Sequence, residues 1–424
     1  DVENATDPVN GGTTTVNLSA TQGSFDASAS QAPVDVTGTA AAETLTTGAG
    51  DDTIDGEGGN DTIDGGDGHD VAEIAGNFAD ATVDIGAGTV TSTDDGTDSF
   101  SNIEVLRFAD QDVLIVGNGG YATIQEAVDD AAPGATIYVA AGSYAENVVI
   151  DKALTIIAAD GAELTPASGN GITLSGDLGG GDVTIDNLDI LDGGSSTEGV
   201  HVAGQANVGT LTLLNLSIEG FDRYGVRSSD GGLASPATLA ALVMTDVAMD
   251  SNGTGGANGA SHVKLFGFDG DAFFNNLSIS GEETATAQAA RPDNAIEITG
   301  IINTNGNANP APVNPPSAGS IVFTNVDISG SYHKNPVALF HFADILGVDV
   351  QSLDLSGAES NWGPLFNIDG VTSSVIDASG FNITFPAPAA GVIHTEIQGE
   401  KADQGVVVDS QIDGTAAADS LHGK

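Results

Sequence analysis

A nine-residue repeat between Gly48 and Asp70 constrains the fold of this chain more than any other feature. Asp52, Asp61 and Asp70 lie at equal nine-residue steps, and glycines recur at matching positions before each of them. A fixed short period predicts a repeat structure whose units bury their apolar side chains by stacking on one another. The 58 glycines among 424 residues favour turn-rich β structure over helices.

The repeat also concentrates negative charge. The chain has 60 Asp and Glu residues against 9 Lys and Arg, and eight of the acidic residues lie between Gly50 and Asp70, where no basic residue occurs. Such a cluster repels itself unless a cation binds, and Ca²⁺ takes six to eight oxygen ligands from carboxylates and backbone carbonyls. The segment therefore indicates a calcium site, with a solvated Asp/Gly linker as the alternative.

The segment resembles the RTX nonapeptide repeat, G-G-x-G-x-D-x-U-x, which winds into a calcium-binding parallel β-roll. The resemblance implies that the three Asp residues named above are ligands, that Asp52 pairs with Asp70, and that Asp61 pairs with Glu43. Ala72 departs from the apolar position, so the roll is expected to end there, with residues 71–116 as a cap. The resemblance also assigns turn carbonyl ligands to the glycines Gly48, Gly50, Gly56, Gly59, Gly65, Gly66 and Gly68.

A second, longer repeat fills most of the remaining chain. Short strands of alternating apolar residues carry Asn, Asp or Ser at one fixed point, about 30 residues apart with one longer step of about 50. Coils of this length predict an all-β fold, a right-handed parallel β-helix preceded by the short RTX β-roll. The longer step predicts an extra partial coil and an insertion at residues 305–317. The fixed polar positions are Asn187, Asn215, Asp246, Asn276, Asn325 and Ser352.

One short helix is predicted at residues 123–131, because Thr123 and Glu126 have capping-box spacing. The surrounding residues 122–158 resemble the first coils of pectin-lyase-like β-helix proteins, which include pectate lyases and alginate epimerases. We expect an N-terminal β-strand or linker segment at 1–36, the roll with closing strands at 37–117, the β-helix with its capping helix at 118–412 and the truncated start of a second RTX-like segment at 413–424. Gly414–Leu421 nearly repeats Gly38–Leu45, so the chain is expected to be a piece or a processed product of a longer protein.

A column of polar residues is the candidate for enzymatic chemistry. Strand alternation places His201, Arg227 and Lys264 on matching rungs of the second strand family, with Tyr224 close by. These groups suit an anionic glycan, as in a uronate epimerase or lyase. The alternative is that these residues form a solvent-exposed exterior column with no catalytic role. This non-catalytic interpretation is favoured because the epimerase motif Asp-Pro-His-Glu and the polygalacturonase signatures are absent from the sequence.

The composition and repeats resemble those of bacterial S-layer proteins and RTX adhesins. That resemblance implies a non-enzymatic, calcium-dependent structural protein that is exported by type I secretion and self-assembles into a lattice or filament at the cell surface. A cell-surface polysaccharide or lipopolysaccharide is a further expected partner. A net charge of −51 argues against nucleic acid, and the sequence has no apolar run long enough to span a bilayer. The alternative function is a secreted polysaccharide-modifying enzyme.

Overall fold

The computed structural model describes residues 12–19, 23–228, 237–253, 260–266, 268, 270–280, 295–298 and 321–329 in full, and otherwise only the backbone of short strands. Predicted features at residues 305–317, Ser352 and residues 413–424 lie outside the described residues.

Almost every regular element is a β-strand. The strands up to residue 164 are β1 (Val2–Glu3), β2 (Thr14–Asn17), β3 (Ser24–Asp26), β4 (Val34–Thr37), β5 (Thr44–Thr46), β6 (Thr53–Asp55), β7 (Thr62–Asp64), β8 (Val71–Glu73), β9 (Thr82–Asp84), β10 (Thr89–Ser92), β11 (Gly96–Ser101), β12 (Val105–Arg107), β13 (Asp112–Val116), β14 (Thr136–Val139), β15 (Gly142–Tyr144), β16 (Val148–Ile150), β17 (Leu154–Ala158) and β18 (Ala162–Leu164).

Most strands of the later chain that are described in full are longer. They are β19 (Ser168–Leu174), β20 (Asp177–Asp186), β21 (Asp189–Leu191), β22 (Ser195–Val202), β23 (Asn207–Glu219), β24 (Tyr224–Ser228), β25 (Thr238–Asp250), β26 (Ser261–Phe266), β27 (Asp271–Ser280), β28 (Asn294–Thr299), β29 (Ser320–Thr324), β30 (Val326–Tyr332), β31 (Phe340–Ala343), β32 (Gly347–Val350), β33 (Leu353–Ser360), β34 (Phe366–Asp369), β35 (Ile376–Asp377), β36 (Ile383–Thr384) and β37 (Ile397–Glu400).

The chain divides into two compact units, and the first comprises residues 1–144 and 154–162. Successive strands of its nonapeptides alternate between two parallel sheets: β3, β5, β7 and β11 form one, and β2, β4, β6, β8 and β12 the other. Each strand is therefore stacked on the strand two repeats away. Leu45, Ile54 and Ile63 point between the sheets and are at most 1% exposed. A nine-residue unit that supplies one strand and one turn thus builds the β-roll.

The small side chain of Ala72 had suggested that the roll ends there, but the roll continues beyond this residue. Ala72 is fully buried and pairs with Ile54 on one side and Leu106 on the other. The strands β11 and β12 extend the two sheets in parallel, and Phe100 and Leu106 fill the interior. A larger side chain on the next layer thus compensates for the small one, which is why the repeat can lose its apolar residue without ending the stack.

The predicted capping helix is confirmed as α1 (Ile124–Asp130). The backbone N–H of Glu126 donates to Thr123 Oγ1 at 3.1 Å, and the N–H of Thr123 donates to Glu126 Oε2 at 3.2 Å, which completes the capping box. A single-turn 3₁₀ helix at Phe78–Asp80 is the other helical element among the described residues.

The second unit comprises residues 145–153 and 163–424 and is a parallel β-helix. One sheet has the order β16-β19-β22-β24-β26-β28-β31-β34-β37, in which every neighbouring pair is parallel. The long strands β23, β25 and β27 pair in parallel in the opposing layer. Alternate apolar side chains of both layers are buried in the interior. The predicted fold class, an all-β chain with a β-roll followed by a parallel β-helix, is confirmed.

The fixed polar residues of the long repeat occupy left-handed backbone positions. Asn187, Asn215, Asp246, Asn276 and Asn325 have φ between +52° and +62°, a region that Asn and Asp tolerate better than other residues with a side chain. Each turns the chain between two strand segments, and the side chains bond along the stack. Asn215 Nδ2 donates to Asp186 Oδ1 at 2.8 Å, and Asn325 Nδ2 donates to Asn276 Oδ1 at 2.6 Å.

The long step between Asn276 and Asn325 contains one coil, so the expected extra partial coil is wrong. Strand β27 pairs directly with β29 and β30 in the same layer. The coils on either side of the long step therefore stack directly on each other in this layer.

Candidate calcium-binding site

The glycine-rich turns of the roll are stacked in two columns. We call residues 47–52 and 65–70 the first turn stack, and residues 38–43 and 56–61 the second turn stack. In the first turn stack the N–H of Asp67 donates to the carbonyl of Gly48 at 2.7 Å. A Cβ added to Gly66, whose φ is +93°, would lie 2.1 Å from that same carbonyl oxygen. The backbone of one turn thus approaches the next as closely as glycine allows.

The first predicted carboxylate pair is brought together in the first turn stack. Asp70 Oδ1 accepts the N–H of Asp52 at 2.8 Å, and Asp52 Oδ1 accepts the N–H of Val34 at 2.7 Å. Asp52 Oδ2 also accepts the N–H of Gly48 at 3.2 Å. Each carboxylate therefore accepts a backbone N–H from the chain one layer earlier in the stack.

The second predicted pair follows the same rule in the second turn stack. Asp61 Oδ1 accepts the N–H of Glu43 at 2.8 Å. Glu43 is itself 3% exposed, and its carboxylate accepts the N–H and the hydroxyl of Thr39. The other predicted glycines are also closely packed: a Cβ added to Gly68 would lie 2.1 Å from the Gly50 carbonyl oxygen, and one added to Gly56 or Gly65 would lie 2.5 or 2.6 Å from Oδ2 of Asp61 or Asp70.

Burial leaves these carboxylates without compensation for their charge. Asp52, Asp61 and Asp70 are at most 1% exposed, and the Oδ2 atoms of Asp61 and Asp70 have no hydrogen-bond partner. Burial raises the pKa of Asp70 to about 7, with the charges of Asp52 and Glu104 adding to the effect. Burial likewise raises the pKa of Asp61 to about 6 and raises the pKa of Asp52. A buried, unpaired carboxylate is costly unless a cation binds it.

The donor set fits calcium. Among the described residues, no three His, Asp or Glu side chains converge on one point, so an ion held here must take most of its ligands from backbone carbonyls. Ca²⁺ accepts that mixture of carboxylate and carbonyl oxygens in flexible geometry, whereas structural zinc sites are built from Cys and His ligands in a closed tetrahedron. Asp52, Asp61, Asp70 and the turn glycines are the residues that would hold it.

Two further carboxylates continue the stacks and were not predicted from the sequence. Glu104 Oε2 accepts the N–H of Asp70 at 2.7 Å, and Asp98 Oδ1 accepts the N–H of Asp61 at 2.8 Å. Their residues are 7% and 2% exposed. A signal exists, since Gly96-Thr-Asp98-Ser-Phe keeps the G-x-D-x-U core of the repeat.

The polar column of the β-helix is in register. His201 pairs with Arg227, Arg227 with Lys264, and Lys264 with Glu297 on neighbouring strands. The cations are engaged in ion pairs: Lys264 Nζ lies 2.8 Å from Glu297 Oε2, and Arg227 Nη1 lies 2.7 Å from Oε1 of the buried Glu198. Sequence alternation had placed the column correctly, but it had not identified Glu198 as a partner.

An aromatic ring lies among these cations. Tyr224 is 3% exposed, and the guanidinium carbons of Arg223 and Arg227 lie 5.1 Å from its ring centroid, with Lys264 Nζ at 5.8 Å. Burial lowers the pKa of His201, so its imidazole is neutral near pH 7. The arrangement can bind a carboxylate or polar ligand, at the expense of ion pairs that already satisfy Arg227 and Lys264.

Comparison with known families matches residues 37–72 to the RTX calcium-binding nonapeptide repeat, in four copies. A search of curated proteins finds no significant match to the chain. Repeats of this family are calcium-binding motifs and are typical of secreted proteins. Among the described residues, none of the helices is long and apolar enough to cross a membrane.

Proposed function

We propose that this protein is a secreted, calcium-dependent structural protein of the bacterial cell surface, either an S-layer subunit or a matrix or adhesin module, and that it has no enzymatic activity. The observation that carries the proposal is the series of buried carboxylates in the two turn stacks. Residues 1–151 contain a single Lys or Arg, Arg107, and it pairs with Glu73 and Asp112 at 3.4 and 3.3 Å. No Lys or Arg of this segment therefore neutralises the stacked carboxylates, and a bound metal ion would do so.

Coupling of folding to calcium suits a protein that must stay unassembled until it is exported. A site that forms only in the folded roll makes the binding free energy a folding free energy. The acidic residues outside the turn stacks give the surface a large negative charge, which keeps copies apart in the absence of divalent cations. Calcium outside the cell would order the roll and bridge surface carboxylates of neighbouring copies.

The test is calcium-dependent assembly of the purified full chain. After dialysis against EGTA, the chain is given calcium or, as a control, the same concentration of magnesium, and is followed by sedimentation velocity and negative-stain electron microscopy. We expect large ordered particles with calcium, dissolution on return to EGTA, and no assembly with magnesium. A chain that remains monomeric at saturating calcium, while its roll is folded, would refute the assembly role.

A second candidate is a polysaccharide-modifying enzyme, such as a uronate epimerase or lyase, and the column of His201, Tyr224, Arg227 and Lys264 is the observation that favours it. Incubation with alginate and with pectate, followed by uronate unsaturation and by NMR of epimer content, tests this activity. Activity that is lost in both Arg227→Ala and Lys264→Ala, at a temperature where each variant is still fully folded by circular dichroism, would establish the enzyme and overturn the non-enzymatic proposal. If both substrates are unchanged after prolonged incubation with the protein in calcium, the enzymatic candidate is excluded for these substrates and the structural role is favoured.

A further inference from the structure

The turn at residues 94–98 lies on the second turn stack as an additional layer, although it is outside the matched repeats. The N–H of Gly59 donates to the carbonyl of Asp95 at 2.7 Å, and the N–H of Thr97 donates to Asn60 Oδ1 at 3.0 Å. An isolated parallel β-bridge pairs Gly59 with Gly96, the glycine of the turn at residues 94–98. The bond of Thr97 repeats one between two repeat turns, in which the N–H of His69 donates to Asp51 Oδ1 at 3.1 Å.

The residue at the repeat's Asp position is also reproduced. Asp98 Oδ1 accepts the N–H of Asp61 at 2.8 Å, the same bond and the same distance that Asp61 Oδ1 makes to the N–H of Glu43. Directly after Asp98, Ser99–Ser101 pair in parallel with Thr62–Asp64. The chain separation is 37 residues in place of the regular 18, because strands β9 and β10 are inserted between the two turns. The stack thus resumes in register after the insertion.

The junction of the two turns concentrates buried negative charge. Asp61, Asp95 and Asp98 are 1%, 5% and 2% exposed, and the Oδ2 atom of Asp61 has no hydrogen-bond partner. Among the described residues, none of the three forms an ion pair with Lys, Arg or His. Burial of the unpartnered carboxylate oxygen of Asp61 next to the buried Asp98 is unfavourable without a cation.

We propose that the turns 56–61 and 94–98 together hold a calcium ion, with the carboxylates of Asp61 and Asp98 and the backbone carbonyls of both turns as ligands. The ion joins the repeat segment to a part of the chain that the repeat pattern does not reach. Asp95, which stands where the repeat turn has Gly58, adds a carboxylate that would strengthen the attraction for a divalent ion. The proposal does not depend on surface assembly or on the absence of enzymatic activity.

Calcium titration of the full chain by isothermal calorimetry tests the site with two matched variants. Asp98→Asn keeps the shape and the acceptor for the N–H of Asp61 but removes the charge. Asp94→Asn removes the same charge from an exposed position of the same turn. We expect Asp98→Asn to bind one ion fewer than the wild type, or to bind that ion about tenfold or more weakly, and Asp94→Asn to match the wild type. Superimposable titrations of the two variants would overturn the proposal.

Hydrogen exchange of the wild-type chain gives a second test that requires no variant. Calcium should slow exchange of the amides at residues 94–101 together with those at 56–62, and at the same calcium concentration. Protection that appears at 47–70 while 94–101 exchange equally fast with and without calcium would show that the ion sites end with the repeats, and the proposal would then be wrong.

Discussion

Replacing Asp70 by Asn should change the stability of the protein in opposite directions with and without calcium. Asp70 is fully buried, and burial together with neighbouring carboxylates raises its pKa from 3.8 to about 7. At about 1.4 kcal/mol for each pKa unit, ionising this group costs the calcium-free folded state about 4 kcal/mol near pH 8. Asn keeps the acceptor for the N–H of Asp52 and removes the charge.

The gain is smaller than the full cost of the charge, because the new amide N–H₂ takes the place of the unpartnered Oδ2. A buried unsatisfied donor costs about 1–3 kcal/mol, so Asp70→Asn should stabilise the calcium-free protein by about 1–3 kcal/mol. In calcium, Asn is a weaker ligand than a carboxylate. The variant should therefore be less stable than the wild type at saturating calcium.

Urea unfolding near pH 8, in EGTA and in calcium, measures both signs. Asp67→Asn is the control, since it removes a charge from an exposed position of the same turn and should change stability little in either condition. Destabilisation by Asp70→Asn in EGTA, or an equal gain from Asp67→Asn, would refute the reasoning that a buried charge at Asp70 opposes folding until calcium binds.

Three further predictions concern pH, a close backbone contact and an ion pair. Because the raised carboxyl pKa values favour the protonated folded state, the calcium-free protein should lose stability as pH rises from about 4 to about 7, measured by thermal unfolding; stability that increases over this range would contradict it. Gly66→Ala should lower the free energy of unfolding by about 2 kcal/mol or more, because the added Cβ would meet the Gly48 carbonyl oxygen at a positive φ. Gly58→Ala is the control, since a Cβ at Gly58 has room. Equal urea midpoints for the two variants would argue against this packing. Arg227→Ala should destabilise the protein by about 1.5–3 kcal/mol, because the buried carboxylate of Glu198 keeps only its contact with His201 at 3.2 Å, and adding Glu198→Gln should recover most of this loss; a double variant as unstable as the single one would exclude that cause.

Periodicity predicted the parts of the molecule that depend on a constant step. Equal spacing placed Asp52 beside Asp70 two repeats away, and the structure has that contact. The capping box of α1 was readable because its two residues are local and their chemistry is reciprocal. The rungs of His201, Arg227 and Lys264 followed from strand alternation alone.

Features that break the period escaped prediction. Asp98 was missed because the inserted strands β9 and β10 change the step, although its turn keeps the local repeat core. Glu198 was missed because alternation fails next to it: residues 198, 199 and 200 are all buried, so a charged residue loses contact with water and requires a partner. The fixed polar residues were visible in the sequence, but their reason, a left-handed backbone position at each of the five that the structure describes, depends on backbone angles.

The central claim, that the carboxylates of the two turn stacks are calcium ligands, is tested most directly by the unfolding free energy of the full chain as a function of free calcium. Ligand linkage predicts a gain of about 2.7 kcal/mol for each ion when calcium reaches a hundredfold excess over its dissociation constant, with magnesium producing little change. The gain should fall in Asp52→Asn and Asp70→Asn. A free energy of unfolding that is the same in calcium and in EGTA would contradict the account.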